Sequence, residues 1–261
     1  MVQPVIVEEE AVRKILTLDA LIPLMEEALM GCAQGTVLQP ARTIHTLPEG
    51  KLFGFMPAYL GDHDYFGAKI VTAVPANAGT EYPSHLGSVL VFDSDHGALR
   101  GMVDATSITE LRTSAVSAAA TKVLAREDAH VLALIGCGAQ ARGHIKCLTQ
   151  VRHIDEIRLY ARHPEHVRQL QAEVEAQYGI RTVACASVQE AVATADIICT
   201  LTPSKEPLLE WEWVRPGTHI NAVGTFSPTT REVSSQLVAH SRLYADEVAA
   251  MKRESGEYLI P

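Results

Sequence analysis

No dense run of lysine and arginine appears anywhere in this chain, no two cysteines are spaced C-x-x-C, and no apolar stretch approaches the roughly 20 residues that span a bilayer. Each absence excludes a class. Without a basic patch, and with a formal charge of −9 and an isoelectric point near 5.6, the surface repels a phosphate backbone, which sets nucleic acid aside as a partner. The longest apolar segments, such as VLALIG at 131–136, are too short for a membrane, and the opening MVQPVIVEEE lacks the basic start of a signal peptide; a cytoplasmic protein is expected. The five cysteines, at 32, 137, 147, 185 and 199, are odd in number and scattered, so they read as small buried apolar residues rather than a disulfide framework or a metal site. Internal repeats and low-complexity segments are missing too.

What is present is 261 residues, 47% apolar and 20% charged, enough for one large domain or two modest ones with a real core. From about residue 127, short apolar runs alternate with helical patterns at the interval of parallel βαβ units. Strands are expected at 130–136, 156–161, 181–186, 196–202, 218–224 and 242–246, with helices at 139–150, 164–178 and 187–195; Ser187 and Glu190 form a capping box for the last. The first part differs. A helix near 19–34 precedes strands near 41–47, 51–57, 66–74 and 87–93, with turns at PEG (48–50), NAG (77–79) and SDHG (94–97). An alanine-rich helix over 107–126, with Ser107 and Glu110 as its capping box, bridges the two parts. The fold class expected is α/β: an α+β domain over 1–118 and a Rossmann-type doubly wound sheet over 119–261.

LIGCGAQA (134–141) follows a strand and opens a helix, in the form G-x-G-x-x-A at Gly136, Gly138 and Ala141. Glycine permits the tight turn and the close approach of backbone N–H groups to a pyrophosphate at the positive end of the helix. The surrounding strand, helix and next strand agree with a dinucleotide site. At the end of the second strand an acid would hold the ribose hydroxyls of NAD. The sequence there is LYARHPEH, with no acid before Glu165; Ala161, Arg162 and His163 are the expected contacts, and the positive charge suits a 2′-phosphate. NADP(H) is therefore favoured, with NAD(H) as the alternative and a merely solvated Arg162 as the bland reading.

Lys69 lies in the otherwise apolar strand FGAKIVTAV, where an ammonium is costly without an anion or hydrogen-bond partner; it is a site residue or half of a structural ion pair. Arg112 sits in the early turns of a helix, where the dipole disfavours a cation unless Glu110, another acid or a ligand anion joins it. Arg42, in QPARTIH, can present a planar fork to a carboxylate or simply decorate a surface strand.

PARTIHTLPEG, FGFMPAY, GAKIVTAVPAN, ELRTSAVSAAAT, LIGCGAQA, INAVGTFSPTTRE and ESGEYLIP occur in that order over nearly the whole chain, and with them it resembles the ornithine cyclodeaminase and mu-crystallin family. That family also includes alanine dehydrogenases, ketimine reductases and Δ1-pyrroline-2-carboxylate reductases. The resemblance implies that Arg42, Lys69 and Arg112 surround the carboxylate of an imino or amino acid, with Lys69 beside the reacting centre as the catalytic residue. It also implies that Ser84, His85, Arg112, Ala139, Gln140, Thr200, Leu201 and Val223 approach the cofactor. The end of the expected strand at 218–224 falls at the carboxyl edge of the sheet, where ligands bind in open α/β folds, so Val223, Gly224 and Thr225 are expected to wall the nicotinamide pocket. A homodimer through the first-domain sheet is implied as well. So is a further segment beyond SGEYLIP that returns to the first domain; that return segment is absent from this chain, and if it covers apolar surface, lower stability or association is expected.

Two departures bear on the reaction. Cyclodeaminases place an aspartate in the loop after NAVG, where TFSP (225–228) offers no general base, and they tend to hold NAD through an acid after the second strand. Both point to hydride reduction of a cyclic imine such as Δ1-pyrroline-2-carboxylate over loss of ammonia. Alanine dehydrogenase, cyclodeaminase and a non-enzymatic binding protein of mu-crystallin type are the alternatives.

Overall fold

The computed structural model describes residues 3–61, 65–77, 80–83, 85–225 and 227–261. The chain divides into two compact units, one ending at Arg112 and one beginning at Thr113; the expectation from sequence was a boundary at 118/119.

In the first unit, β1 (Val5–Val7), α1 (Glu9–Ile15) and α2 (Leu18–Gln34) precede β2 (Thr43–Thr46), β3 (Leu52–Tyr59), β4 (Tyr65–Ala73), β5 (His85–Asp93) and β6 (Leu99–Asp104). The sheet order is β1-β6-β5-β4-β3-β2, antiparallel except for the β1–β6 pair. β1 and β6 are additions to the expected strands. β1 has three residues, too few for a periodic signal, and Arg100 with Gly101 interrupts the apolar pattern of β6. Part of the expected NAG turn, residues 78 and 79, lies outside the described residues.

β6 runs directly into α3 (Ala105–Leu124). Its cap is a correction to the expected box. The carboxylate of Asp104 accepts from both the backbone N–H and the hydroxyl of Ser107 at 2.9 Å, while Glu110 accepts from Arg13 at 2.9 Å. The helix starts two residues earlier than Ser107, so an aspartate that ends a strand serves as cap, and Glu110 is drawn to a cation on α1.

The second unit contains β7 (Val131–Ile135), α4 (Ala139–Val151), β8 (Glu156–Tyr160), α5 (Pro164–Tyr178), β9 (Arg181–Ala184), α6 (Val188–Val192), β10 (Ile197–Thr200) and β11 (His219–Ala222). Three short helices follow: α7 (Ser235–Ala239), α8 (Val248–Glu254) and α9 (Gly256–Leu259). All strands are parallel in the order β11-β10-β7-β8-β9, the doubly wound arrangement, and Leu132, Leu134, Ile157, Leu159, Ile197 and Ile198 fill the core without solvent exposure. At α6, Ser187 accepts from the Glu190 N–H at 3.1 Å, and the Glu190 carboxylate reaches back to the Ala186 N–H at 2.7 Å.

The expected sixth strand at 242–246 does not form. Leu243 and Tyr244 stay exposed, and the next residues turn into α8, where Glu247 caps the N–H groups of Ala249 and Ala250. The apolar window between Arg242 and Asp246 is too short to compete with that cap. No described helix is long and apolar enough to cross a membrane.

Candidate active site

Lys69 sits mid-strand in β4, opposite Met56 on β3 and Val89 on β5. Arg42 immediately precedes Thr43, whose partner is Phe55, so it stands level with Met56, the neighbour of Lys69. Lys69 Nζ donates to Thr109 Oγ1 at 3.3 Å. That hydroxyl donates in turn to the Ala105 carbonyl at 2.6 Å, leaving its lone pairs for the ammonium. Arg112 follows Thr109 by one helical turn and so lies on the same face of α3. Burial above all, then the charge of Arg112, then that of Arg42, lowers the Lys69 pKa to about 8. Cations drawn toward one point favour an anion there, and a carboxylate matches the planar fork of an arginine. Among the described residues, the hydrogen bond of Lys69 is to a neutral hydroxyl. Thr109 was not legible as part of this group, because only the packing of α3 brings it to β4.

Of the residues expected to meet a dinucleotide, those of the second unit lie at the carboxyl edge of the parallel sheet. Gly136 has φ +109, and a Cβ there would stand 2.9 Å from the Leu201 carbonyl oxygen, so both backbone angle and space demand glycine. Its N–H donates to Tyr160 O at 2.8 Å, tying the turn to the end of β8. Gly138 caps α4, and nothing lies within 4 Å of where its Cβ would be; Ala139 beside it is exposed. First-turn N–H groups of a helix have no carbonyl a full turn behind them, which leaves them to caps and ligand anions; in α4 that of Ala141 is turned to Gly138 O at 3.2 Å. The buried Gln140 Oε1 has no hydrogen-bond partner among the described residues. Open space, helix N-terminus and orphan oxygen fit a dinucleotide phosphate and its donors.

Thr200 is fully buried, and its carbonyl accepts from Val223 N and Gly224 N at 3.0 and 3.1 Å, which joins the ends of β10 and β11. Leu201 N donates to Ile135 O at 2.8 Å. Ala161 is half-buried and Arg162 and His163 are exposed beyond β8, with His163 Nδ1 3.5 Å from Glu165. His85 is exposed at the start of β5; Ser84 lies outside the described residues.

Two glutamates went unread in the sequence. Glu232 is completely buried; Oε1 accepts from the N–H and hydroxyl of Thr202 at 2.7 and 2.6 Å, and Oε2 from Gly224 N at 2.8 Å. Glu257 on α9 accepts from Glu232 N at 2.5 Å, Val233 N at 3.1 Å and Thr225 Oγ1 at 3.3 Å. Burial raises both pKa values, and the donated hydrogen bonds oppose it. In sequence, an acid between Arg231 and Val233 looks like a solvated loop residue; nothing in its spacing marks it as buried.

The model of the ornithine cyclodeaminase/mu-crystallin family matches residues 2–260. The chain belongs to this family. A ketimine reductase mu-crystallin of Mus musculus is 40% identical over 244 residues, covering 92% of this chain and 77% of the relative. The solved Thermococcus litoralis Δ1-pyrroline-2-carboxylate reductase, in complex with NADH and L-proline, superposes with a TM-score of 0.93 at 32% identity, over 98% of this chain and 80% of that one. An archaeal alanine dehydrogenase dimer with bound NAD gives 0.90 at 29% identity, over 95% and 76%. In this ornithine cyclodeaminase/mu-crystallin chain, the glycine turn and the Lys69 group are thus the parts from which an activity has to be built.

Proposed function

We propose that the protein reduces the C=N bond of a cyclic imino acid with NAD(P)H, taking Δ1-pyrroline-2-carboxylate to L-proline or acting on a related ketimine. Similarity to reductases of such substrates supports the class. The observation that carries reduction over deamination is the engagement of Glu232 and Glu257. Each accepts three hydrogen bonds from the protein, so neither replaces the base missing from residues 225–228.

When bound, the nicotinamide supplies the hydride that reaches the imine carbon. Arg42 and Arg112 hold the carboxylate and thereby fix the orientation of the C=N group. Lys69, as the ammonium, gives a proton at the imine nitrogen, so that C=N becomes CH–NH. Its pKa of about 8 leaves it mostly protonated at neutral pH and a better acid than an ordinary lysine. Gly136, Gly138, Ala139 and Gln140 hold the pyrophosphate, with Thr200, Leu201, Val223, Gly224 and Thr225 on the nicotinamide side.

Ala161, Arg162 and His163 favour NADPH, because they put donors and positive charge where an acid would select NAD. On the first sheet, Phe53 and Phe55 alternate with Met56, so they project from the face opposite to Lys69; both are exposed, as is Leu86 in the row of Phe53. That apolar face supports a homodimer.

Purified protein with NADPH and Δ1-pyrroline-2-carboxylate is expected to form proline with loss of the nicotinamide absorbance, faster than with NADH and faster than with pyruvate plus ammonia. Ammonia release from ornithine without net nicotinamide change would overturn this reading.

A further inference from the structure

We propose that Glu232 is a positioning residue for the nicotinamide half of the dinucleotide site, acting through Thr202 and Gly224. The inference rests on the dinucleotide reading above and adds a role for a carboxylate outside the motif residues.

The parallel order places β7 between β8 and β10, so the strand order reverses there, and a dinucleotide in such a sheet lies across the carboxyl ends of the strands on both sides. Residues 161–163 follow β8 and serve the adenosine half. Residues 201–202 and 223–225 follow β10 and β11 and serve the other half. Glu232 grips this second side alone: one oxygen takes both donors of Thr202, the other takes the N–H of Gly224.

The fit around it is close. A Cβ on Gly224 would meet Thr202 O at 2.2 Å, Thr202 N at 2.4 Å and Glu232 Oε2 at 2.6 Å, so glycine is what lets the two strand ends approach one carboxylate. The same segment reaches the phosphate turn, since Leu201 O occupies the place a Gly136 side chain would take. A shift of Thr202 therefore moves Leu201, Val223 and Thr225 relative to the glycine turn. Glu257 completes the frame from α9, holding Glu232 N, Val233 N and Thr225 Oγ1, and a Cβ on Gly256 would strike Thr230 O at 2.0 Å. The stretch INAVGTFSPTTRE is thus shaped by an acid at its own end and by the ESGEYLIP segment.

Glu232→Gln is the informative change, because an amide has one accepting oxygen and must turn a donor toward either Gly224 N–H or the Thr202 donors. Wild type, Glu232→Gln, Thr202→Val and Thr202→Ser are titrated calorimetrically with NADPH and with 2′-phospho-ADP-ribose, which lacks the nicotinamide, and thermal unfolding is recorded for each. Glu232→Gln is expected to weaken NADPH about tenfold, the weight of one charge-assisted bond, with 2′-phospho-ADP-ribose unchanged within about twofold. Thr202→Val, which loses only the hydroxyl, weakens NADPH less and keeps the fold if Glu232→Gln does not; Thr202→Ser restores the wild-type ratio. Equal loss of both ligands in folded variants, or no loss of NADPH, overturns the positioning role while leaving the dinucleotide reading intact. Failure of the wild type to bind these two ligands and their counterparts without the 2′-phosphate, NADH and ADP-ribose, overturns both.

Discussion

In the parallel sheet every residue of β10 is buried, as are the last four of β7, whereas in the mixed sheet β2 is exposed throughout and most of β4 is only half-buried. Charge is treated differently in the two. Asp196, at the start of β10, is 4% exposed and accepts from His130 N, Val131 N and Arg126 at 3.1, 3.0 and 2.6 Å; burial would raise its pKa, but these donors hold it below the usual range. Glu232 is saturated in the same way. Lys69, in the mixed sheet, has a neutral hydroxyl and neighbouring guanidiniums, which leave its charge uncompensated among the described residues. A buried charge that is fully hydrogen-bonded holds structure together; one that is not is ready for a ligand.

The largest effect that tests this contrast is expected from Lys69→Met, which makes the centre of β4 as apolar as β10. Imine reduction should fall by about 10²–10⁴-fold in kcat/KM, the usual weight of a positioned proton donor, while the melting temperature holds or rises. An unchanged rate would make Lys69 a structural residue like Asp196. The pH dependence has a definite sign. A lysine in water titrates near 10.5 and Lys69 near 8, so between these values the unfolded chain binds the extra proton. Its contribution to stability therefore rises with pH across that window, and below about 8 the cost of the buried charge is fully present. Activity moves the other way, falling as pH passes through about 8 and the proton donor is lost. Comparing wild type and Lys69→Met by thermal unfolding at pH 7 and pH 10 checks the first statement, and a kcat/KM profile of the wild type checks the second.

Gly136→Ala comes next. With φ +109 and the Leu201 carbonyl in the way, the new Cβ should cost about 1–3 kcal/mol in unfolding free energy and weaken dinucleotide binding; denaturant titration and nucleotide titration read the two effects. Ser187→Ala, at the α6 cap of the same unit, should cost about 1 kcal/mol and leave both substrate and nucleotide affinities as they were. If the cap variant alters nucleotide binding as much as the glycine variant does, the second unit cannot be divided into a rigid frame and a binding edge.

Continuous apolar runs made the parallel strands readable, because a strand buried on both faces is apolar at nearly every position; VLALI is an example, and IICT departs from it only at Thr200, its last residue. The glycine turn was readable for the same kind of reason: a backbone angle excludes other residues wherever the chain is placed. The half-open sheet gave weaker signals. β1 was too short to register, the glycine and arginine of β6 hid it, and the apparent strand at 242–246 had the composition of one without a partner that buried it.

By itself, the sequence determined the doubly wound α/β class, the position of the glycine turn and the oddity of a lysine in an apolar strand, since these follow from local geometry and from the cost of burying charge. Only the tertiary structure decided which groups meet. Asp104 rather than Ser107 caps α3, Thr109 receives Lys69, and Glu232 and Glu257 close on the ends of β10 and β11. A carboxylate reads alike in sequence whether water or backbone N–H groups surround it, and the partners of Glu232 at 202 and of Glu257 at 232 are tens of residues away.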